Sequence, residues 1–145
     1  MEKQGLTAPE ENNKEFIKTC TEDFWNKQNI AAFEKYYASG LIMHFADGDQ
    51  TSEQYKGLCN AYFTAFPDLH ITTDLLVTEG DKVTKVWTAT CTQKGDFMGI
   101  KATGKRIMVK GIEVFRIADG KIAEIWASMD NLGMLQQLGV IPPLG

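Results

Sequence analysis

The 145-residue chain has few side chains that bind metals or form disulfides: three cysteines and two histidines. Cys20, Cys59 and Cys91 lie far apart, and no C-x-x-C pair is present. Disulfide frameworks, zinc sites and iron–sulfur sites need paired cysteines or clusters of cysteine and histidine. We therefore expect no metal site and no disulfide, and the odd cysteine count favours a reducing cytoplasm.

Long basic runs and long apolar runs are also missing. The chain has 15 Lys+Arg against 19 Asp+Glu, a net charge of −4, and its longest basic run is the pair Lys105 and Arg106. Nucleic acids bind clustered positive side chains, and a membrane span needs about 18 consecutive apolar residues. Nucleic acid and membrane are therefore excluded as expected partners, and the polar N-terminus predicts no signal peptide.

The composition that remains is typical of one globular domain. Hydrophobic residues make up 43% of the chain, aromatic residues 10% and charged residues 23%. A chain of this length buries roughly 68–70% of the surface that its unfolded form exposes. We expect a single domain over residues 1–145 with a core that needs no cross-links.

Two capping boxes predict helices in the first half of the chain. In each, a threonine precedes Glu or Gln by three residues: Thr7 with Glu10, and Thr51 with Gln54. Such pairs satisfy the free amides at a helix start. Apolar residues then recur at helical spacing, and a proline follows the helix that begins after Thr51. We expect helices over residues 8–27 and 52–66.

Between these helices we expect one short helix and one strand. Asn29 can cap a helix over 30–38 that Gly40 would end. The apolar run 41–45 then predicts a strand, and the Asp-Gly-Asp sequence at 47–49 predicts a turn.

From residue 69 onward, apolar residues recur at every second position instead of at helical spacing. Val, Ile, Thr and Trp are frequent there, and Gly-containing turns such as Asp119-Gly120 separate the runs. This predicts an α+β fold in which a curved antiparallel sheet wraps over the early helices and leaves a pocket at one end. We expect four strands, over 69–78, 83–93, 107–117 and 122–130, and a short helix over 131–138.

Four segments of this pattern resemble the SnoaL-like polyketide cyclase (ester cyclase) family of the NTF2-like superfamily. They are AFPDL at 65–69, EGDKV at 79–83, FMGIKATGK at 97–105, and FRIADGKIxExWxxxDxLGMLQQLG at 115–139. The resemblance covers about residues 12–141. It implies a cone-shaped α+β fold, a homodimer through the outer sheet face and, as chemistry, cofactor-free ring closure of a polyketide ester by an aldol reaction.

The resemblance also implies an acid/base aspartate. By motif match it is Asp130, four residues after Trp126. The chain departs from the family at two histidines, where it has Gln93 and Ile125. These losses favour an alternative function as a non-catalytic small-molecule-binding or dimerisation module, whereas the retained Trp126 and Asp130 favour an enzyme.

Strand parity provides a second carboxylate. A two-residue turn at Asp119-Gly120 would place Trp126 opposite Glu113, and hence Asp130 on the face that carries both. Asp130 would then be the general base, with a protonated Glu113 donating to the developing enolate. Alternatively, Asp130 caps the helix over 131–138 and Glu113 pairs with an exposed lysine.

We accordingly expect one cavity that binds a small, apolar carbonyl compound. His44 could reach it from a strand end or could instead be a half-buried strand residue, and Gln93 could orient a substrate carbonyl. Strand parity places Arg116 on the face opposite Glu113 and Asp130, so an epoxide hydrolase ranks third among the functions considered. The expected partner of Arg116 is a carboxylate such as Glu124 or an acidic residue at an interface. The predicted site comprises Asp130, Glu113, Trp126, Gln93 and His44, with walls from Tyr55, Tyr62, Phe63 and Phe97.

Overall fold

Helices begin the chain and most of the strands follow them, in a computed structural model that describes residues 5–143. The helices are α1 (Ala8–Cys20), α2 (Phe33–Tyr36), α3 (Ser52–Ala65) and α4 (Asn131–Gln137), with a π-helical segment at Thr21–Asn26 and a 3₁₀ turn at Ile30–Ala32. The strands are β1 (Tyr37–Phe45), β2 (Gly48–Thr51), β3 (His70–Glu79), β4 (Lys82–Thr92), β5 (Arg106–Ala118) and β6 (Lys121–Met129).

All six strands form one sheet in the order β2-β1-β6-β5-β4-β3. Strands β3 to β6 pair as antiparallel neighbours, as the sequence predicts, and β2 pairs antiparallel to β1. The sheet is nevertheless mixed, because β1 lies parallel to β6, with His44 beside Trp126. The expected α+β fold class is confirmed.

The two predicted capping boxes are both present, but the helical boundaries differ from the prediction. The segment predicted as one helix over 8–27 is α-helical only to Cys20 and continues as a wider π-helical turn. The helix predicted over 30–38 ends at Tyr36, and Gly40 lies inside β1. Tyr37, 2% exposed, stacks on the Phe33 ring at 4.6 Å. Aromatic residues are frequent in strands, and Tyr37 is the first residue of β1.

Aromatic rings fill the space between the helices and the concave face of the sheet. Phe24 is fully buried and contacts the rings of Trp25, Phe33, Tyr37 and Phe63 at centroid distances between 5.3 and 5.9 Å. Burial of one such ring stabilises the fold by roughly 1.5–3 kcal/mol. This cluster fixes the helices against the sheet and closes one side of the interior.

The β5–β6 hairpin contains a bulge that changes which side chains face the interior. Next to the turn, Ile117 pairs with Ile122, but the following pair is Arg116 with Glu124, so Ala123 is the extra residue. A bulge shifts the register by one residue and reverses the faces of the side chains beyond it. The predicted pairing of Trp126 with Glu113 is therefore wrong.

Beyond the bulge, Glu113 pairs with Ala127 and Trp126 pairs with Val114. Glu113 consequently remains on the concave face of the sheet. Trp126, which is 38% exposed, lies on the outer face. In residues 5–143, no helix is long and apolar enough to span a membrane.

Candidate functional site

A cavity of about 70 Å³ lies between the concave sheet face and the helices. One water needs roughly 10–15 Å³ on the same measure, so the cavity has room for several waters or a small organic group. Its charged lining residues are Lys85 and Glu113, and the remainder of its lining is aromatic, aliphatic or sulfur-containing. The walls include Trp25, Phe45, Tyr55, Tyr62, Phe66, Trp87, Met129 and Met134.

Glu113 and Lys85 are cross-strand neighbours on β5 and β4. The Lys85 side chain is 3% exposed, and its Nζ donates a hydrogen bond to Thr21 Oγ1 at 2.8 Å. The Thr21 hydroxyl in turn donates to the Ile17 carbonyl at 3.0 Å. Within residues 5–143 we find no ion pair between Lys85 and Glu113, although both reach the same cavity.

The surroundings of this pair favour the uncharged forms of both groups. Burial raises the pKa of the Glu113 carboxyl, and the nearby Lys85 opposes the shift. Burial lowers the pKa of the Lys85 amine, and Glu113 again opposes the shift. An apolar cavity disfavours charge on either group. The cavity thus offers a carboxyl group and an amino group as its ionisable groups.

Trp87 forms a wall beside the pair, and its position depends on a glycine. It is the cross-strand partner of Gly111, and a Cβ at Gly111 would lie 2.3 Å from the Trp87 ring. The Trp87 indole nitrogen has no hydrogen-bond partner within residues 5–143. Gly111 therefore lets the ring lie flat on β5.

Two of the predicted aromatic walls line the cavity and two do not. Tyr55 and Tyr62 are lining residues, and burial raises the pKa of Tyr62 to about 12, which keeps its hydroxyl protonated. Phe97 lies behind this wall, with its ring 4.8 Å from that of Tyr62. Phe63 belongs to the aromatic core, 5.3 Å from Phe24. Sequence spacing places all four inside but cannot separate cavity from core.

Asp130 lies at the start of α4, where its exposed carboxylate accepts a hydrogen bond from the Gly133 amide at 2.8 Å. This is the helix-cap geometry that the sequence offers as the alternative role. Asp130 is next to the lining residue Met129 in the chain but does not itself line the cavity. The structure therefore brings Glu113, Tyr55 and Tyr62 together and leaves Asp130 outside.

His44 lies on the outer face of the sheet in a network of charged groups. Its Nδ1 is 2.8 Å from Asp49 Oδ1, and its Nε2 is 2.7 Å from Glu124 Oε2. Arg116 Nε donates to the other Glu124 oxygen at 3.1 Å, which confirms the predicted pair. Hydrogen bonds to Glu124 and Asp49 raise the pKa of His44. The imidazole also stacks on Trp126, so neither residue faces the cavity.

Gln93 is fully buried and holds a loop together rather than facing the cavity. Its amide donates to the Ile100 carbonyl at 3.1 Å and accepts from the backbone and the hydroxyl of Thr103. The carboxamide thus bridges the loop between β4 and β5. The buried Ile125 stands at the other position where the family often has histidine.

The sequence profile described as SnoaL-like polyketide cyclase matches residues 15–138 of this chain. The chain belongs to this family. No curated protein matches the chain significantly.

Solved structures of similar fold agree with this membership. AclR, a candidate hydroxylase from Streptomyces galilaeus, is 26% identical at a TM-score of 0.86, covering 94% of this chain and 86% of its own. A candidate polyketide cyclase from Acidithiobacillus ferrooxidans is 29% identical at a TM-score of 0.78, with coverage of 94% and 98%. IdmH, a candidate polyketide cyclase from Streptomyces antibioticus, is 28% identical at 0.74, with coverage of 88% and 99%.

In this SnoaL-like chain the sequence pattern did not lead us to Lys85, the second charged residue of the cavity. A signal was present, because Val83, Trp87 and Ala89 alternate as apolar residues and Lys85 shares their parity. Residues two positions apart on a strand face the same side of the sheet. Lys85 is therefore expected to point inward with these apolar residues. The burial of β4 follows this alternation.

Proposed function

We propose that this SnoaL-like protein is a cofactor-independent acid/base catalyst that acts on a small, apolar carbonyl compound in its cavity. The family supports cyclase-type chemistry. The observation that carries the proposal is the enclosed Glu113 carboxyl, cross-strand to Lys85, in an otherwise apolar cavity. Because Asp130 caps α4 and does not line the cavity, we assign the acid/base role to Glu113 instead.

The proposed reaction is an aldol or related enolisation step. Burial raises the pKa of Glu113, so its carboxylate is a stronger base than an exposed one and can remove a proton from the carbon next to a carbonyl. The enolate then attacks a second carbonyl carbon, and the resulting alkoxide takes the proton back from the Glu113 carboxylic acid. The carboxyl ends in its starting state, and the apolar walls keep water from quenching the enolate.

The experiment compares two variants of similar shape, Glu113→Gln and Asp130→Asn. Turnover is measured on a panel of activated esters and polyketide-like carbonyl compounds. Glu113→Gln removes the acid/base group, so turnover should fall by roughly 10²–10⁴. Asp130→Asn should leave turnover and thermal stability unchanged, since Asn caps a helix as well as Asp. Loss of turnover in Asp130→Asn alone would return the role to Asp130 and contradict the proposal.

A second candidate function is a binding module that catalyses nothing. Gln93 and Ile125 stand where the family often has histidine, and both are fully buried, non-titrating side chains. This function would require that the wild-type protein binds apolar carbonyl compounds but turns over none of the panel.

We further propose a homodimer formed through the outer face of the sheet. Large apolar side chains are exposed on this face: Ile42, Leu75, Val77, Met108, Ile112 and Trp126. Several large exposed apolar side chains on one face are typical of protein–protein contacts. The family resemblance implies the same surface.

A further inference from the structure

Lys85 is placed differently from a lysine that only contributes charge. Its side chain is 3% exposed and reaches a cavity whose walls are largely apolar. One of its three possible hydrogen-bond donors is used, by the Thr21 hydroxyl at 2.8 Å. A buried ammonium normally needs a paired carboxylate and full hydrogen bonding. Lys85 lacks this pairing among the described residues, and burial shifts its equilibrium toward the neutral amine.

The titratable groups that face Lys85 favour its charged form and so oppose the effect of burial. Glu113 is the cross-strand neighbour from β5, while Cys20 and Glu22 approach from the end of α1 and the π-helical segment. Burial outweighs these neighbours and lowers the pKa of the amine. A neutral amine carries a lone pair, and a desolvated lysine is the usual amine nucleophile toward carbonyl substrates.

We propose that Lys85 is a nucleophile that forms a Schiff base with a carbonyl compound bound in the cavity. This assigns a covalent attachment site to the protein and narrows its ligands to aldehydes and ketones with small apolar substituents. The proposal rests on the proposed function only in placing a carbonyl compound in this cavity. It does not require turnover.

The chemistry balances within the cavity. The Lys85 nitrogen lone pair attacks the carbonyl carbon, the C=O π pair moves to oxygen, and the Glu113 carboxylic acid protonates that oxygen. The nitrogen then loses one proton to the Glu113 carboxylate, which returns it to the hydroxyl group. Water leaves with the C–O bonding pair, and the nitrogen lone pair forms the C=N bond. The products are an iminium on Lys85, a Glu113 carboxylate and one water.

This intermediate would assist the proposed enolisation. An iminium withdraws electrons more strongly than a carbonyl, so the neighbouring C–H becomes more acidic. The Glu113 carboxylate left by Schiff-base formation lies opposite Lys85 and is positioned on the same wall to remove that proton. The two cross-strand residues then act in sequence, one as nucleophile and one as base.

The test traps the Schiff base in the full chain with butanal and sodium cyanoborohydride at neutral pH. Reduction converts the imine into a stable secondary amine in which a butyl group replaces one hydrogen of the amine. Peptide mapping then identifies the modified lysine by its mass increase. A lowered pKa leaves more of an amine in its neutral, nucleophilic form at neutral pH. We expect Lys85 to be alkylated faster than Lys110, which is exposed on the outer face of β5.

Two variants control the assignment. Lys110→Met should leave the rate at Lys85 unchanged, whereas Lys85→Met should remove the fast adduct without creating another. Alkylation of Lys85 no faster than that of Lys110 would overturn the inference and identify Lys85 as a structural hydrogen-bond donor to Thr21.

The outcome is distinguishable from that of the proposed function. Fast labelling of Lys85 together with full turnover by Glu113→Gln supports the attachment site and contradicts the acid/base assignment. Slow labelling of Lys85 together with loss of turnover in Glu113→Gln supports Glu113 as the acid/base group and overturns the Schiff-base proposal.

Discussion

Lys85 and Glu113 face each other directly across β4 and β5, on the concave side of the sheet and in the same cavity. Buried ionisable groups without a partner reduce the stability of a fold, because each must either carry a desolvated charge or have its pKa shifted to stay neutral. Enzymes nevertheless keep such groups in their active sites, where function and stability conflict. We therefore expect substitutions of this pair that raise the stability of the SnoaL-like protein to lower its activity.

The first prediction is that apolar replacement of this pair stabilises the protein. Lys85→Met combined with Glu113→Leu keeps the side-chain volumes and removes both ionisable groups. Replacing buried charged groups by well-packed apolar ones is often neutral or stabilising by about 1–4 kcal/mol. We expect a free energy of unfolding higher by that order at neutral pH, measured by urea denaturation, together with loss of activity. A double variant less stable than wild type would show that the pair holds the fold together.

Much of the fold could be predicted from local sequence. The capping threonines Thr7 and Thr51 are followed by helices, and the period of two after residue 69 identifies the four antiparallel strands. These features depend on neighbours along the chain. The parallel pairing of β1 with β6 joins segments about 80 residues apart in sequence, such as His44 and Glu124, and no local pattern specifies it.

The candidate site was harder to predict because one bulge determines which side chains of β6 face the cavity. Ile122 and Ile125 are both fully buried, although strict alternation would place them on opposite faces. The extra residue Ala123 allows both to point inward and moves Trp126 outward. The odd spacing of these two isoleucines was therefore the available signal, and parity counted from the turn gave the wrong face.

The second prediction concerns His44 and the pH dependence of stability. Hydrogen bonds to Glu124 and Asp49 raise the pKa of His44 above 6.5, so its contribution is fully present below that pH. The contribution is lost as pH rises through the folded-state pKa. The bond from His44 lowers the pKa of Glu124 below 4.5, so that contribution is present above 4.5 and is lost on acidification.

The difference in Tm between wild type and His44→Gln should therefore be largest between about pH 4.5 and 6.5 and should shrink at alkaline pH. Thermal melts followed by circular dichroism across this range measure it. His70→Gln, at an exposed position of β3, is the matched control for the loss of an imidazole. A pH-independent difference for His44→Gln would exclude the titration of this network as its cause.

The third prediction tests the contact between Gly111 and Trp87. A Cβ at position 111 would lie 2.3 Å from the indole, so Gly111→Ala must displace the ring into the cavity or bend β5. Overpacking of this kind typically destabilises by about 1–3 kcal/mol. Gly57 offers the control, because a Cβ there meets nothing within 4 Å in the middle of α3.

Gly57→Ala should raise the free energy of unfolding by roughly 0.5–1 kcal/mol, since alanine favours a helix interior over glycine. Opposite signs for the two glycine variants in urea denaturation would support a tight Trp87 wall. Equal effects would contradict it.

The last prediction addresses the proposed dimer. Ile112 is 50% exposed near the centre of the outer face. It pairs with Val86 of β4, and Trp126 of β6 pairs with Val114, two residues further along β5. A lysine at this position would bury a charge in an apolar contact, and changes at the centre of an interface commonly cost at least about 2 kcal/mol. Ile112→Lys should therefore raise the dimer Kd at least about thirtyfold in sedimentation equilibrium. Leu132→Lys places the same charge at a similarly exposed position, 44%, on α4, away from this face, and should leave the Kd unchanged. If wild type sediments as a monomer at high micromolar concentration, the outer face has another partner or none, and the apolar side chains there do not make a homodimer.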